Sequence, residues 1–277
     1  MVAQRGVALA IVVWFLAAMA VLVSGIVWEA RLDVKLAQAH VARAEVESAG
    51  DGAIQLALAQ LASGVVPLEA SSAAEYEVGG HRVRVELIPV SGLININAAS
   101  RDLLGFLFLE VGGMAPSQAE AAAAAVIEFR EIGTGMGLGG LRRVKGFESV
   151  EDLVRVAGIN RAVFDRVRDH IVARSGGGGM VDWSAAPEGL LTRFAEKYPR
   201  EVQAALKRRE KVSDLIGDPR GATSGQTRSG NFRVDATVLY GDKAWIRRRW
   251  VTMESTSGSL LPWTVTRTEG PRVRTTT

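Results

Sequence analysis

The sequence contains no cysteine, so no disulfide framework holds the fold, and an oxidising compartment is neither required nor excluded. Aromatic residues are scarce at 6%, while 30 glycines are spread through the 277 residues, which points to a loosely packed chain with several linkers. Charge is close to balanced: the net value is +3 and the pI about 9.4, giving little reason to expect a polyanionic partner such as nucleic acid. Histidines are few. His40, His81 and His170 share no ligand spacing with each other or with carboxylates, and no Ser-His-Asp order, metalloprotease motif or carboxylate pair stands out. Catalysis therefore has no visible carrier, and the expected class is a non-enzyme without a cofactor. A chain of this length has room for two small domains.

The most informative segment is Met1 to Trp28. A short polar leader ends in Gln4-Arg5-Gly6, and an uncharged apolar run follows from Val7 to Trp28. As a helix that run spans about 33 Å, enough to cross a bilayer core. Arg5 before the span favours a cytoplasmic N-terminus and an exported body. A secretory signal peptide also has a basic start and an apolar core, but here polar helix-forming sequence follows directly (Glu29 to Leu36) where a small-x-small cleavage site belongs. Small or apolar residues then recur at Leu32, Leu36, Ala39, Ala42, Val46, Ala49, Ala53 and Leu56, a helical stripe that needs a packing partner. Span and stripe together predict one helix from about Val7 to Leu61, weakened at Gly50 and Gly52.

Beyond it, Ser63-Gly64 and Pro67 break the pattern and Ala70 to Ala74 reads as a loop. Glu75–Val78 and His81–Ile88 read as two strands around Gly79-Gly80. Val83, Val85 and Leu87 alternate with Arg82, Arg84 and Glu86, so one face is core and the other wet. From Gly92 the character turns helical. Asn97 or Ser100 caps a helix over Leu103–Leu109, and Pro116 starts one over Ser117–Glu131. Phe147–Val156 and Arg161–Ala173 form a pair around Gly158-Ile159-Asn160, and Glu188–Phe194 and Pro199–Val212 close the block. Asp218–Gly230 is polar and turn-rich. Two strands, Asn231–Tyr240 and Lys243–Met253, then flank Gly241-Asp242, and Leu260–Thr266 adds a third. Strands separated by helices predict a sheet split in sequence by an insertion, because sheet halves left apart would expose unpaired edges.

These residues carry a resemblance. Arg5-Gly6-Val7-Ala8-Leu9 followed by an apolar helix that becomes amphipathic resembles a type IV pilin or pseudopilin, and within that superfamily the minor pseudopilin K family of bacterial type II secretion. Gly92 to Ala99 resembles that family's "G-x-I-N-I-N-T-A" entry to its insertion, Phe147 to Asn160 with Phe164 to Arg168 resembles its "S-x-x-E-L-x-x-V-x-G-I" helix pair, and Met180 to Leu191 looks like a degenerate copy of the Asn-x-Asn motif. The resemblance covers nearly the whole chain. It implies an α+β fold, with a pilin-like long helix packed on an antiparallel sheet and an inserted α-helical domain. The divisions it implies are a leader (1–6), a transmembrane half-helix (7–28), an amphipathic periplasmic half-helix (29–62), first strands (63–91), an insertion (92–226) and C-terminal strands (227–277). It further implies cleavage between Gly6 and Val7 by a prepilin peptidase. Ile11 then stands at the fifth mature position, where most pilin-like subunits carry glutamate and the K subunit does not. Implied partners are the I and J minor pseudopilins, with H as a further member, and the inner-membrane assembly platform. Small residues at Ala10, Ala17, Ala18, Ala20 and Gly25 suit packing among anchors.

The family often binds calcium through an acidic loop after its alanine-rich helix. In the corresponding segment, Ile127 to Gly140, Glu128 and Glu131 are too few for a hard divalent ion, and no metal is assigned. Four other patterns have plainer readings. Gly135 to Gly140 fits a dinucleotide fingerprint in letters but follows a helix, and it reads with Gly176–Gly179 as loop or linker. The Val156 to Asn160 turn resembles a helix-hairpin-helix with Arg161, Arg166, Arg168 and Arg174 nearby, so a membrane-anchored DNA-binding protein of the competence type is the alternative, although Asp165 and Asp169 interrupt the charge and a structural pair is preferred. A type IV pilus minor pilin is a third reading, which the insertion disfavours. Lys207 to Lys211 reads as a solvated helix face. Arg247, Arg248 and Arg249 lie on a strand and so point to alternating faces.

Overall fold

A computed structural model describes residues 4–63, 71–132, 146–175, 178–216, 230–254 and 260–274. Helix α1 (Gln4–Ser63) is one unbroken rod of 60 residues, about 90 Å long. Its core-facing residues begin at Val46 and continue through Ala49, Ala53, Ile54, Ala57, Leu58 and Leu61, spaced by one, three or four as one helical face requires. The expected stripe starts too early: Leu32, Leu36 and Ala39 are exposed and Ala42 is half-buried. Leu56 is exposed as well, because the buried face runs through its neighbours Ile54, Ala57 and Leu58. Gly50 and Gly52 do not break the helix. A Cβ on Gly50 would lie 2.8 Å from the Arg247 Cβ, and one on Gly52 would lie 3.0 Å from the Val78 side chain, so these glycines let the helix approach the sheet closely.

Strands β1 (Ser72–Val78) and β2 (His81–Pro89) form an antiparallel hairpin. Gly79 and Gly80 both have positive φ, 60° and 78°, as a tight two-residue turn of matching twist demands. Ser72 to Ala74, expected as loop, pair with Leu87 to Val85 and extend the strand.

The insertion follows β2. Strand β3 (Ile94–Asn95) leads to α2 (Arg101–Glu110), whose N-cap Ser100 accepts a hydrogen bond from the Leu103 N–H at 3.2 Å. Helix α3 (Pro116–Ile132) has its proline at the first helical position. The expected helix pair is shorter than its apolar pattern suggests. Val150–Arg155 is a 3-10 turn closed by a Ser149/Asp152 capping box, α4 covers only Arg161–Val167, and the chain then becomes strand β4 (Ile171–Val172). Strand β4 pairs in parallel with β3, so the β-branched pair Ile171-Val172 completes a two-stranded ladder instead of a fourth helical turn. Helices α5 (Glu188–Phe194) and α6 (Pro199–Ile216) end the insertion, with α6 one turn longer than expected. Residues 217–229 lie outside the described set, as do residues 133–145, which include Gly135 to Gly140.

Strands β5 (Gly230–Tyr240), β6 (Lys243–Met253) and β7 (Trp263–Val273) return to the first sheet. Strand β7 runs seven residues past the expected end at Thr266, because its pairing with β6 continues to Val273 opposite Trp245. The sheet order is β1-β2-β5-β6-β7, antiparallel throughout. Strand β2 thus pairs with β5 across the whole insertion, with Val83 opposite Val238 and Pro89 opposite Phe232.

Each body has its own core. Val83, Val85, Leu87, Phe232, Val234, Ala236, Val238, Val251 and Met253 pack on α1. Inside the insertion, β3, α2, α3, α4 and α5 pack around Phe108, Phe164 and Phe194, and Phe129 stacks on Phe147 with ring centres 4.7 Å apart. A small third cluster, Ile88, Val90, Leu93 and Val172 with Trp250 against it, sits where the chain leaves the sheet.

Candidate functional site: an uncovered apolar helix and an ionic junction

Two features stand out, the bare first half of α1 and the contact between insertion and sheet. From Leu9 to Trp28 the described side chains of α1 are exposed, including Trp14, Phe15, Leu16 and Trp28. This is the one helix among the described residues long and apolar enough to cross a membrane. Gly6 and Val7 lie within α1. Ile11 is 63% exposed in the run. Ala10, Ala17, Ala18, Ala20 and Gly25 are exposed too, and a Cβ at Gly25 would meet nothing within 4 Å. Between Trp28 and Val46 the helix continues about 27 Å before its first fully buried residue. That stalk carries Leu32, Leu36 and Val41 on its surface.

On β2 the second face is wet as its alternation suggests, with Arg82 and Arg84 exposed and Glu86 half-buried, but on β5 and β6 the insertion covers that face. Strand alternation sends Arg233 and Asp235 of β5 and Arg248 of β6 to this face, and all three are buried, Arg233 at 2% and Arg248 at 3% exposure. The Arg248 guanidinium donates both Nε and Nη2 to Asp235, at 2.6 and 2.7 Å, and Arg233 Nε lies 3.1 Å from Asp235 Oδ2. The insertion supplies the remaining negative charge. Asp169, just past α4, places Oδ1 2.8 Å from Arg248 Nη2 and 2.5 Å from Arg272 Nη2 of β7, while its backbone carbonyl accepts from Arg233 Nη1 at 2.6 Å. Burial pushes the carboxyl groups of Asp169 and Asp235 upward, but the facing guanidinium groups outweigh it and hold both well below the usual carboxylate range. Arg168 adds a pair to Glu269 at 3.2 Å, Glu269 accepts from the Trp250 indole at 3.1 Å, and Glu151 accepts from Arg267 at 2.8 Å.

On the opposite face Arg247 and Arg249 reach Asp51 of α1 at 2.8 and 2.7 Å. The arginine run therefore serves both faces of β6 and forms no single patch, as alternation implies.

The Asn-x-Asn motif ties the insertion together. Asn97 accepts from the Phe147 N–H at 2.7 Å and donates to the Phe147 carbonyl at 2.9 Å; it is not a helix cap. Asn95 Oδ1 accepts from the backbone of Asn97 and of Arg174, both at 3.2 Å. In the degenerate copy Asp182 Oδ1 accepts from the Ser184 N–H two residues on, at 3.1 Å, the same local turn as at Asn95. Sequence reasoning found these motifs but not Asp169, Asp235 or Glu269. Their only signal is charge on sheet positions whose cover comes from far along the chain.

The remaining candidates are occupied elsewhere or dispersed. Arg161 pairs with Asp165 at 3.0 Å, Arg166 donates to the Gly112 carbonyl at 2.8 Å, and Arg168 holds Glu269, so three of the four arginines that suggested a DNA contact are engaged within the protein. Lys207, Arg208 and Glu210 are exposed as a solvated face requires, but Arg209 between them is half-buried and donates to the carbonyls of Trp183, Ser184 and Ala186. His40 is exposed on α1, His81 lies 3.6 Å from Glu45, and His170 is in the junction. Glu128 and Glu131 are exposed on α3; among the described residues no three metal-binding side chains converge. A cleft of about 790 Å³ opens between the sheet and α5–α6, lined by Arg84, Thr237, Leu191, Val202 and Leu206, and a groove of about 330 Å³ lies on the other side, beside Trp250 and Arg174.

The fold is thus α+β: one long helix, an antiparallel sheet of five strands, and a helical domain inserted between adjacent strands. No protein-family model matches the chain, and no curated protein matches it in sequence. Among solved structures it is similar to a chain of the crystal structure of the GspK-GspI-GspJ complex from the enterotoxigenic Escherichia coli type 2 secretion system; the match covers 90% of this chain and 100% of that one, at 12% identity and a TM-score of 0.44.

Proposed function

We propose that this protein is a minor pseudopilin of the K type, a non-enzymatic subunit of a type II secretion system. It is anchored in the bacterial inner membrane with its body in the periplasm, and it joins the I and J minor pseudopilins, with H as a further member, at the tip of a short filament. The observation that carries this reading is the chain order, in which an apolar half-helix with no cover of its own runs into a sheet whose central strands β2 and β5 are separated by a helical domain. That order is the one implied by the N-terminal motif.

In physical terms, a prepilin peptidase removes residues 1–6 and frees Val7 as the mature N-terminus. The apolar helix is then held in lipid until it packs among neighbouring anchors through its small residues. Ile11 makes that transfer cheaper, since a carboxylate at this depth costs several kcal/mol unless paired. The insertion adds bulk to the body, which favours the end of a filament over its shaft.

Processing provides the test. Co-expressed with a prepilin peptidase, the chain is expected to lose six residues by intact-mass measurement, and Gly6→Leu is expected to keep them and fail to assemble. A Gly6→Leu chain with the processed mass, or a parent chain that keeps Met1, contradicts the assignment.

A further inference from the structure

We propose that the inserted helical domain is held on the sheet by an electrostatic latch centred on Asp169, so that its seating is an equilibrium set by one carboxylate and not by a shared core. The inference does not depend on the secretion assignment; it follows from how the two bodies meet.

Each body closes its own core, and the two cores share no residue. What joins them is of two kinds. At the end where the chain leaves β2, the small cluster of Ile88, Val90, Leu93, Val172 and Trp250 surrounds the connection itself, as a hinge would. Away from that point the facing contacts are mainly polar: Asp169 with Arg248, Arg272 and Arg233, Arg168 with Glu269, Glu151 with Arg267, and Ser71 with the Ala186 carbonyl. Open space flanks this line of contacts, the 790 Å³ cleft on one side and the 330 Å³ groove on the other. A polar contact line between two voids, with an apolar cluster at one end, permits rotation without unpacking either core.

Charge arithmetic singles out Asp169. On the sheet side, among the described residues, Arg233 and Arg248 share the carboxylate of Asp235 and the ion pair of Arg272 is to Asp169, which leaves the three arginines two positive charges in excess of their paired sheet carboxylate. Arg233 and Arg248 are buried and cannot turn to solvent while the domain is seated. Asp169 touches all three arginines, two through its carboxylate and one through its carbonyl, and no other insertion carboxylate reaches them among the described residues. Glu151 reaches only Arg267, and Arg168 brings a charge of the wrong sign. Neutralising Asp169 therefore leaves a buried cationic surface that is better hydrated when the domain lifts away.

The absence of native cysteine makes the motion measurable in the full chain. Spin labels at Arg82→Cys on β2 and Thr192→Cys on α5 sit on exposed positions of the two bodies, and neither residue belongs to the latch. In detergent, electron-electron distance measurement is expected to give one main distance for the parent. Asp169→Asn is expected to add a second, longer one, raising the open-to-closed ratio at least tenfold, with helical circular dichroism retained. Arg272→Ala, which removes a partly exposed partner, is expected to shift the ratio in the same direction by a smaller factor. Distances unchanged in both variants would overturn the proposal. If Asp169→Asn loses helical signal instead, Arg272→Ala decides: a longer distance supports the latch, and an unchanged one refutes it.

Discussion

His170 is a neutral histidine placed beside cations. Burial, and then the charges of Arg233, Arg193 and Arg248, push its imidazole down to about 4, with Asp169 opposing only in part. An unfolded histidine titrates near 6.5, so between that value and about 4 the unfolded chain binds a proton that the folded chain refuses. Stability therefore rises with pH across this window and falls on acidification, by up to about 3 kcal/mol, with no contribution above the window. Denaturant unfolding of the chain in detergent at several pH values is expected to show that slope, and His170→Gln is expected to remove it. An identical slope in the variant would place the acid sensitivity elsewhere. The carboxylates Asp169 and Asp235 do not share this window, since their guanidinium partners keep them ionised to lower pH.

Among the elements, α1 and β6 meet at Gly50 under Arg247. A valine there gains less than about 1 kcal/mol in helix propensity over glycine, whereas forcing side-chain atoms into a 2.8 Å approach costs about 1–3 kcal/mol. Gly50→Val is accordingly expected to lower the unfolding midpoint, and an unchanged or raised midpoint in thermal unfolding would show that the helix stands off the sheet. The same contact shows where sequence reading stops. Alternation in His81–Ile88, Asn231–Tyr240 and Lys243–Met253 was enough to place three strands to within a residue, because period-two burial is local. Which face would be covered was not legible. Arg233 looks solvated until the backbone carbonyl of Asp169, 64 residues away in sequence, is laid against it. Nor did apolar spacing separate the 3-10 turn at Val150–Arg155 from a full helix, or Ile171–Val172 from the end of α4, since short apolar runs fit either geometry and tertiary pairing decides. The early start assigned to the α1 stripe has the same cause: Leu32 and Leu36 have the right period, but the sheet does not extend to meet them.

At the level of the whole molecule, the described parts form a rod with a two-part head. The rod's apolar half and its stalk are uncovered by the chain itself, and the head's two cores are separate. An apolar run of this length is long enough to cross a bilayer, and an exposed stalk of about 27 Å separates it from the head. The proposed role as a K-type minor pseudopilin gives each part a use: anchor, spacer and filament tip. Its most direct test is co-purification from membranes in which the chain is expressed with a prepilin peptidase and with I-type and J-type minor pseudopilins. The account predicts a complex that contains all three chains after detergent extraction and gel filtration, with this chain beginning at Val7. Elution of this chain alone, with the other two associated without it, would contradict the account.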